Sequence, residues 1–168
     1  MENETHVISM LVRNRSGVLS RVAGVFGRLG YNIESLCVAE TINSRISRIT
    51  LVSRANADFT DKIKKHLDRL VDVIEVTELK QEHSIQRETI LMAVTLTPDN
   101  RRDVMQAVDM YGCKIVSIRD DYCIIENVAN RGETQTILNY FRPLGIEELA
   151  RTGLIALRQI QQDTGEEQ

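Results

Sequence analysis

The sequence predicts an α+β protein made of two tandem ferredoxin-like units. Apolar patterns typical of strands and helices follow one another in the order βαββαβ, and that order occurs again after a polar segment. The 168 residues are 42% hydrophobic and carry a net charge of only -3, so the chain can form two small cores and is not expected to be disordered. We expect domains at 1–79 and 87–158, a linker at 80–86 and a polar tail at 159–168.

The first unit opens with a β-branched, apolar segment that is followed by the turn-forming residues 14–17. From Val18 the apolar residues recur at helical spacing until Gly30, which is a typical helix end. Thr60 is a candidate cap for a second helix whose apolar positions include Leu70 and Val71. The predicted strands are 5–13, 33–40, 46–53 and 73–79. Both helices of such a unit cover one sheet face, so the other face is free for a partner and we expect oligomerisation.

The second unit shows the same order of elements. A helix start is predicted at 97–99, and the apolar stripe of that helix ends before Gly112. The pair Asp120 and Asp121 is typical of a hairpin turn between two strands. The predicted strands are 88–97, 114–119, 122–128 and 145–150, with a second helix at 134–141.

Composition excludes several classes of protein. With 24 acidic against 21 basic residues and few aromatic side chains, the chain has neither the basic excess nor the stacking surface of a nucleic-acid-binding protein. No apolar run is long enough to span a membrane, and the acidic start is unlike a secretory signal, so we expect a cytoplasmic protein. Cys37, Cys113 and Cys123 are odd in number and lack metal-ligand spacing, which favours free thiols over disulfides or a zinc site.

The sequence shows no catalytic site. His6, His66 and His83 have no paired ligand spacing, and surface or structural roles are favoured for them. The glycines at 24, 27 and 30 lie within and at the end of a helix, so they do not form a nucleotide-binding loop before one.

The most informative segment is the turn from the first strand into the first helix. The first turn of a helix presents unpaired N–H groups and the positive end of its dipole, both of which attract a carboxylate. Gly17 lacks a side chain that would obstruct this approach, and Asn14 can offer a carbonyl and an amide to a polar ligand. The segment 30–33 could supply matching groups from a neighbouring subunit. An ordinary capped helix explains the same spacing, and both interpretations stay open at this point.

The first helix also has small residues on the side opposite its buried stripe, namely Ser20, Gly24 and Gly27. Small residues permit close backbone approach, which favours a packing surface for another subunit. Glycines that are merely tolerated in the helix are an equal alternative.

Several segments resemble the small regulatory subunits of acetohydroxyacid (acetolactate) synthase. The resemblance is carried by 14–21 (NRSGVLSR), 28–36 (RLGYNIESL) and 47–50 (SRIT), and the GYNIESL run is its most specific part. It continues through 70–73, 87–88 and 150–153, so it covers most of the chain.

This resemblance implies that the first unit is an ACT domain and that the chain is a non-catalytic regulatory subunit. Such a subunit forms a homodimer through its ACT domain, binds valine at the dimer interface, and activates a separate large catalytic subunit while making it sensitive to feedback inhibition. Leucine and isoleucine are alternative effectors. Carried over by motif, the effector site falls on Asn14, Ser16, Gly17, Val18, Leu19, Asn32 and Ile33.

The resemblance also implies that the large subunit, a thiamine-diphosphate-dependent transferase, holds the cofactors thiamine diphosphate, Mg2+ and FAD. No cofactor or metal is expected on this chain. Two other functions stay open: a free-standing amino-acid-sensing ACT protein that controls transcription or another enzyme, and a small ferredoxin-like enzyme. The absence of a helix-turn-helix and of catalytic residues disfavours them.

Overall fold

The computed structural model describes residues 4–159, which fall into two compact units that divide after Gln86 and Ile155. Residues up to Gln86, together with the segment from Ala156, form the first unit, and Arg87–Ile155 form the second. No helix in the described part of the chain is long and apolar enough to cross a membrane.

The first unit has the predicted order of elements. Its strands are β1 (Glu4–Arg13), β2 (Ile33–Glu40), β3 (Ile46–Ala55) and β4 (Val73–Glu78), and its helices are α1 (Val18–Arg28) and α2 (Phe59–Leu67). The strands form an antiparallel sheet in the order β2-β3-β1-β4, so β2 and β4 are the edges.

The core of this unit lies between the sheet and the two helices. Alternate residues of β1, including Ile8 and Met10, meet Val22 and Phe26 of α1 and Phe59 of α2, and all five are fully buried. Each such side chain contributes about 1.5–3 kcal/mol on burial, so the apolar stripe of α1 accounts for its position on the sheet. Neither α1 nor α2 packs on the opposite face of the sheet, which is called the helix-free face below.

The second unit repeats this topology. Its strands are β5 (Ser84–Thr95), β6 (Lys114–Ile118), β7 (Tyr122–Ala129) and β8 (Ile146–Arg151), in the order β6-β7-β5-β8, with helices α3 (Arg101–Met110) and α4 (Arg131–Gly145). In this unit the segments 87–88 and 150–153, which carry part of the resemblance, lie side by side. Arg151 donates to both carboxylate oxygens of the buried Glu88, at 2.6 and 2.8 Å. The same order of strands and helices in both units confirms the α+β class with two ferredoxin-like units.

Several predicted details were wrong. Helix α2 has Asp58 at its N-cap, so Thr60 does not cap it, and the helix ends before Val71, whose side chain is 88% exposed. Helix α3 begins at Arg101, later than 97–99, because Asn100 and Thr97 exchange hydrogen bonds in the preceding turn.

Other elements are longer than predicted or were missed. Helix α4 begins at Arg131, because Asn130 and Glu133 form a capping box. Part of the predicted linker is a 3₁₀ turn, Gln81–His83, and β5 begins at Ser84. A further strand, β9 (Ile155–Arg158), pairs with β5 and was not predicted, since four residues show little alternation. Apart from Gln159, the predicted tail lies outside the described residues.

Candidate functional site

The turn between β1 and α1 is shaped by Gly17, which occupies the N-cap position with a left-handed φ of 81°. Among the described residues no side chain caps α1. The Val18 N–H donates to the carbonyl of Arg15 at 3.3 Å, so the N–H groups of Leu19 and Ser20 are the ones that keep their hydrogen-bonding capacity for a ligand. The guanidinium of Arg21 adds positive charge, since its Nη1 lies 3.1 Å from where a Cβ on Gly17 would be. Its Nη2 also donates to Asp72 at 2.5 Å, which offsets part of this charge. The turn suits a carboxylate group.

Asn14 lies beside this turn in a fixed orientation. Its Nδ2 donates to Glu40 Oε1 and to the carbonyl of Ser44, both at 2.9 Å. Because the amide nitrogen is occupied, the side-chain carbonyl oxygen is the atom that Asn14 can offer to a ligand. That oxygen and the adjacent Glu40 carboxylate are both acceptors, and together they suit an ammonium group. Glu40 is not among the predicted site residues, although the predicted antiparallel topology brings the end of β2 to this place.

The remaining predicted effector residues differ in what they expose. Ser16 and Leu19 are exposed, and Leu19 can contact an apolar ligand group. Val18 is only 4% exposed and packs in the core, and its N–H donates to Arg15, so its contribution is to fix the start of α1. Ile33 is half-buried at the edge of that core.

Asn32 lies at the opposite end of the sheet from Asn14. Its backbone carbonyl accepts a hydrogen bond from Ser53 Oγ at 2.7 Å, and its side chain is exposed. Strand β2 separates Asn32 from Glu40, and at about 3.3 Å per residue its length is roughly 23 Å. A single chain therefore does not bring Asn14 and Asn32 together.

The small residues of α1 lie on its solvent side. Ser20, Gly24 and Gly27 are exposed, and a Cβ built on either glycine meets nothing within 4 Å. These three residues therefore lie on the outer face of α1, as predicted.

The described residues contain no group of three His, Cys, Asp or Glu side chains that could hold a metal ion. Burial raises the pKa of the Cys113 and Cys123 thiols, which lowers their thiolate fraction at neutral pH. His6 is buried with Nδ1 at 2.6 Å from Glu78 Oε1, next to the ring of Phe59, as expected for a structural histidine.

Comparisons with known proteins agree on one family. The family model described as "AHAS small subunit-like ACT domain" matches residues 8–75, and the one described as "Small subunit of acetolactate synthase" matches residues 87–160. The acetolactate synthase small subunit of Mycobacterium bovis is 36% identical over 157 residues, which cover 94% of each chain. A probable acetolactate synthase small subunit of Archaeoglobus fulgidus is 37% identical and covers 90% of this chain and 95% of its own.

A solved structure supports the same assignment. The crystal structure of the acetolactate synthase small subunit from Thermotoga maritima superposes with a TM-score of 0.86 at 30% identity, covering 94% of this chain and 98% of that one. The βαββαβ unit with its glycine turn and the match at 8–75 define an ACT-domain protein. Because both units match across nearly the whole chain, the chain belongs to the family of acetolactate synthase small subunits.

Proposed function

We propose that this chain binds valine between two copies of itself, and that it activates the large catalytic subunit of acetolactate synthase and makes it sensitive to feedback inhibition. The observation that carries the proposal is the uncapped start of α1 at Gly17 beside the acceptor pair of Asn14 and Glu40. Donors for a carboxylate and acceptors for an ammonium thus lie next to each other, which is the pattern that an α-amino acid requires.

The chemistry of this site follows from its groups. The carboxylate of the ligand accepts hydrogen bonds from the free N–H groups that follow Gly17 in the first turn of α1, while its ammonium donates to Asn14 Oδ1 and Glu40. Hydrogen bonds to charged groups contribute about 1.5–3 kcal/mol each, so a few of them account for binding in the micromolar to millimolar range. Leu19 offers an apolar contact for a branched side chain.

The edge position of β2 supports a proposal for how a second copy completes the site. If two β2 strands pair antiparallel about a two-fold axis, the beginning of one strand lies beside the end of the other. Asn32 and Ile33 of one protomer then approach Asn14 and Glu40 of its partner. This arrangement supplies a polar group and an apolar wall that one chain lacks.

Regulation follows from linkage between the effector and the assembly. Valine can shift an equilibrium only between states that it binds unequally, so it must favour a dimer geometry that disfavours productive contact with the catalytic subunit. Thiamine diphosphate, Mg2+ and FAD belong to that subunit in this proposal.

The decisive experiment is reconstitution. The chain is co-expressed with a thiamine-dependent acetolactate synthase large subunit, and acetolactate formation is measured with and without valine. We expect association, higher activity than the large subunit has alone, and inhibition by valine. No association and no activation would contradict the proposal and leave a free-standing amino-acid sensor as the better interpretation.

Asn14→Ala tests the site itself. The substitution removes the carbonyl acceptor and releases Glu40, so we expect valine binding measured by calorimetry to fall by at least about tenfold. The dimer, measured by analytical ultracentrifugation, should persist. Asn139→Ala on the exposed side of α4, in the second unit, is a matched control outside the proposed site, and it should leave the valine titration unchanged. An unchanged titration for Asn14→Ala would overturn the assignment.

A further inference from the structure

A groove on the helix-free face of the first sheet has a volume of about 280 Å³. All of its lining residues belong to the first unit. They come from β1, β3, the β4 segment and β9, and are Ser9, Leu11, Arg48, Glu75, Thr77, Leu79, Leu157 and Arg158. Sites for drug-sized ligands have volumes of about 300–1,000 Å³, so this groove suits a metabolite the size of an amino acid.

At the floor of the groove, two residues of opposite charge, Arg48 and Glu75, lie in one cross-strand row of the sheet. Leu11 pairs with Arg48 on one side and with Glu75 on the other. Neighbouring strands are about 4.8 Å apart, so the backbones of the two charged residues are separated by roughly 10 Å. A cation and an anion thus face each other over an apolar residue.

Both charged side chains form hydrogen bonds with the next cross-strand row of residues on the same sheet face, the row of Ser9 and Thr77. Arg48 Nη1 donates to Ser9 Oγ at 2.8 Å, and Thr77 Oγ1 donates to Glu75 Oε1 at 3.0 Å. Ser9 and Thr77 are themselves cross-strand partners. Within the described residues, neither Arg48 nor Glu75 forms an ion pair, although Arg48 is half-buried. A half-buried guanidinium without a carboxylate partner favours an anionic ligand.

The remaining wall of the groove is apolar and cationic. Leu79 is buried and Leu11 half-buried, whereas Leu157 is 60% exposed and can cover a bound side chain. Arg158 adds a second positive charge. A ligand with only a negative charge would meet the Glu75 carboxylate, and a ligand with only a positive charge would meet two guanidinium groups. A zwitterion with an aliphatic side chain satisfies all of these groups.

We propose that this groove is a second binding site for an aliphatic α-amino acid, separate from the turn at Gly17. Arg48 holds the carboxylate of the ligand, Glu75 accepts from its ammonium, and Leu11, Leu79 and Leu157 contact its side chain. The site lies within one chain, so it does not require the dimer. It also does not depend on the proposed valine site, because the two share no residue.

The test uses the full chain and L-leucine as the probe, with backbone amide signals followed by NMR. We expect leucine to shift the signals of Ser9, Leu11 and Thr77 both in the parent and in Asn14→Ala, in which the proposed turn site is weakened. Arg48→Met should weaken this binding by about tenfold or more, because a charge-assisted hydrogen bond is lost. Arg69→Met, an exposed arginine outside the groove, is the matched control and should bind as the parent does.

Two further comparisons separate this site from a general anion site and do not rely on Arg48→Met being well folded. The parent chain should bind leucine more tightly than isovalerate, which lacks the ammonium. Glu75→Gln should remove that preference by weakening leucine alone. The proposal is overturned if the groove signals do not move at millimolar leucine, or if they move equally with leucine and isovalerate. Loss of the groove shifts in Asn14→Ala would also overturn it, because the perturbation would then originate at the turn.

Discussion

Gly17 is the residue whose backbone most directly determines the candidate site. Its φ of 81° lies in the left-handed region, which costs an L-residue about 1–2 kcal/mol, and a Cβ there would lie 3.1 Å from Arg21 Nη1. We therefore expect Gly17→Ala to lower the free energy of unfolding by at least about 1 kcal/mol, as measured by urea denaturation. The methyl group should also weaken valine binding, because it stands at the proposed place of the ligand carboxylate beside the first turn of α1.

Gly27→Ala is the matched control for this prediction. Gly27 lies inside α1 with open space around its Cβ position, so alanine should stabilise the chain by up to about 1 kcal/mol through helix propensity. A Gly17→Ala variant as stable as the parent would show that the turn tolerates a side chain, and would remove the structural reason for glycine there.

At the scale of elements, the outer face of α1 carries a prediction of its own. We expect Gly24→Leu to weaken association, either with the second copy or with the catalytic subunit, because the larger side chain prevents close backbone approach. Leucine is a better helix former than glycine, so the variant should remain folded. Association is measured by ultracentrifugation for the dimer and by co-purification for the complex.

Lys64→Leu on the exposed side of α2 is a control that adds the same side chain to a different helix. If Gly24→Leu assembles like the parent in both measurements, the small residues of α1 are tolerated and have no packing role.

The elements that were predictable share strong local patterns. Strand β2 was predicted with its observed limits, and α1 was predicted to start at Val18, because turn formers and apolar periodicity coincide there. Caps were less predictable, since Asp58 and Thr60 are both suitable residue types and in the described structure neither side chain caps α2. Local propensity does not distinguish between such neighbours.

For the sites too, features built from consecutive residues were predictable, and contacts between residues far apart in the sequence were not. The glycine turn was predictable because its residues are consecutive, whereas the contact of Asn14 with Glu40 joins residues 26 positions apart. The groove was not predictable, since Arg48 and Glu75 are placed on either side of Leu11 only by the register of three strands. Strand β9, which contributes Leu157 and Arg158, is too short to be identified from periodicity.

At the scale of the whole molecule, the separation of Asn14 from Asn32 predicts complementation between defective chains. We expect Asn14→Ala and Asn32→Ala homodimers each to bind valine weakly. In the proposed arrangement each site takes Asn14 from one protomer and Asn32 from its partner, so in a mixed dimer one site carries both substitutions and the other carries neither. After exchange of subunits at equal concentration, half of the dimers are mixed, so about a quarter of the parental binding capacity should return.

The measurement is the number of valine sites per chain, obtained by calorimetry before and after the two variants are mixed under conditions that allow subunit exchange. A site built within one chain behaves differently, because every protomer of the mixed dimer then carries one substitution and no capacity returns. Mixing Asn14→Ala with itself controls for effects of dilution and exchange. If tight valine sites return only in the mixed sample, the site is shared between two protomers. If none return, the whole valine site lies on a single chain, which would contradict the two-fold arrangement of β2.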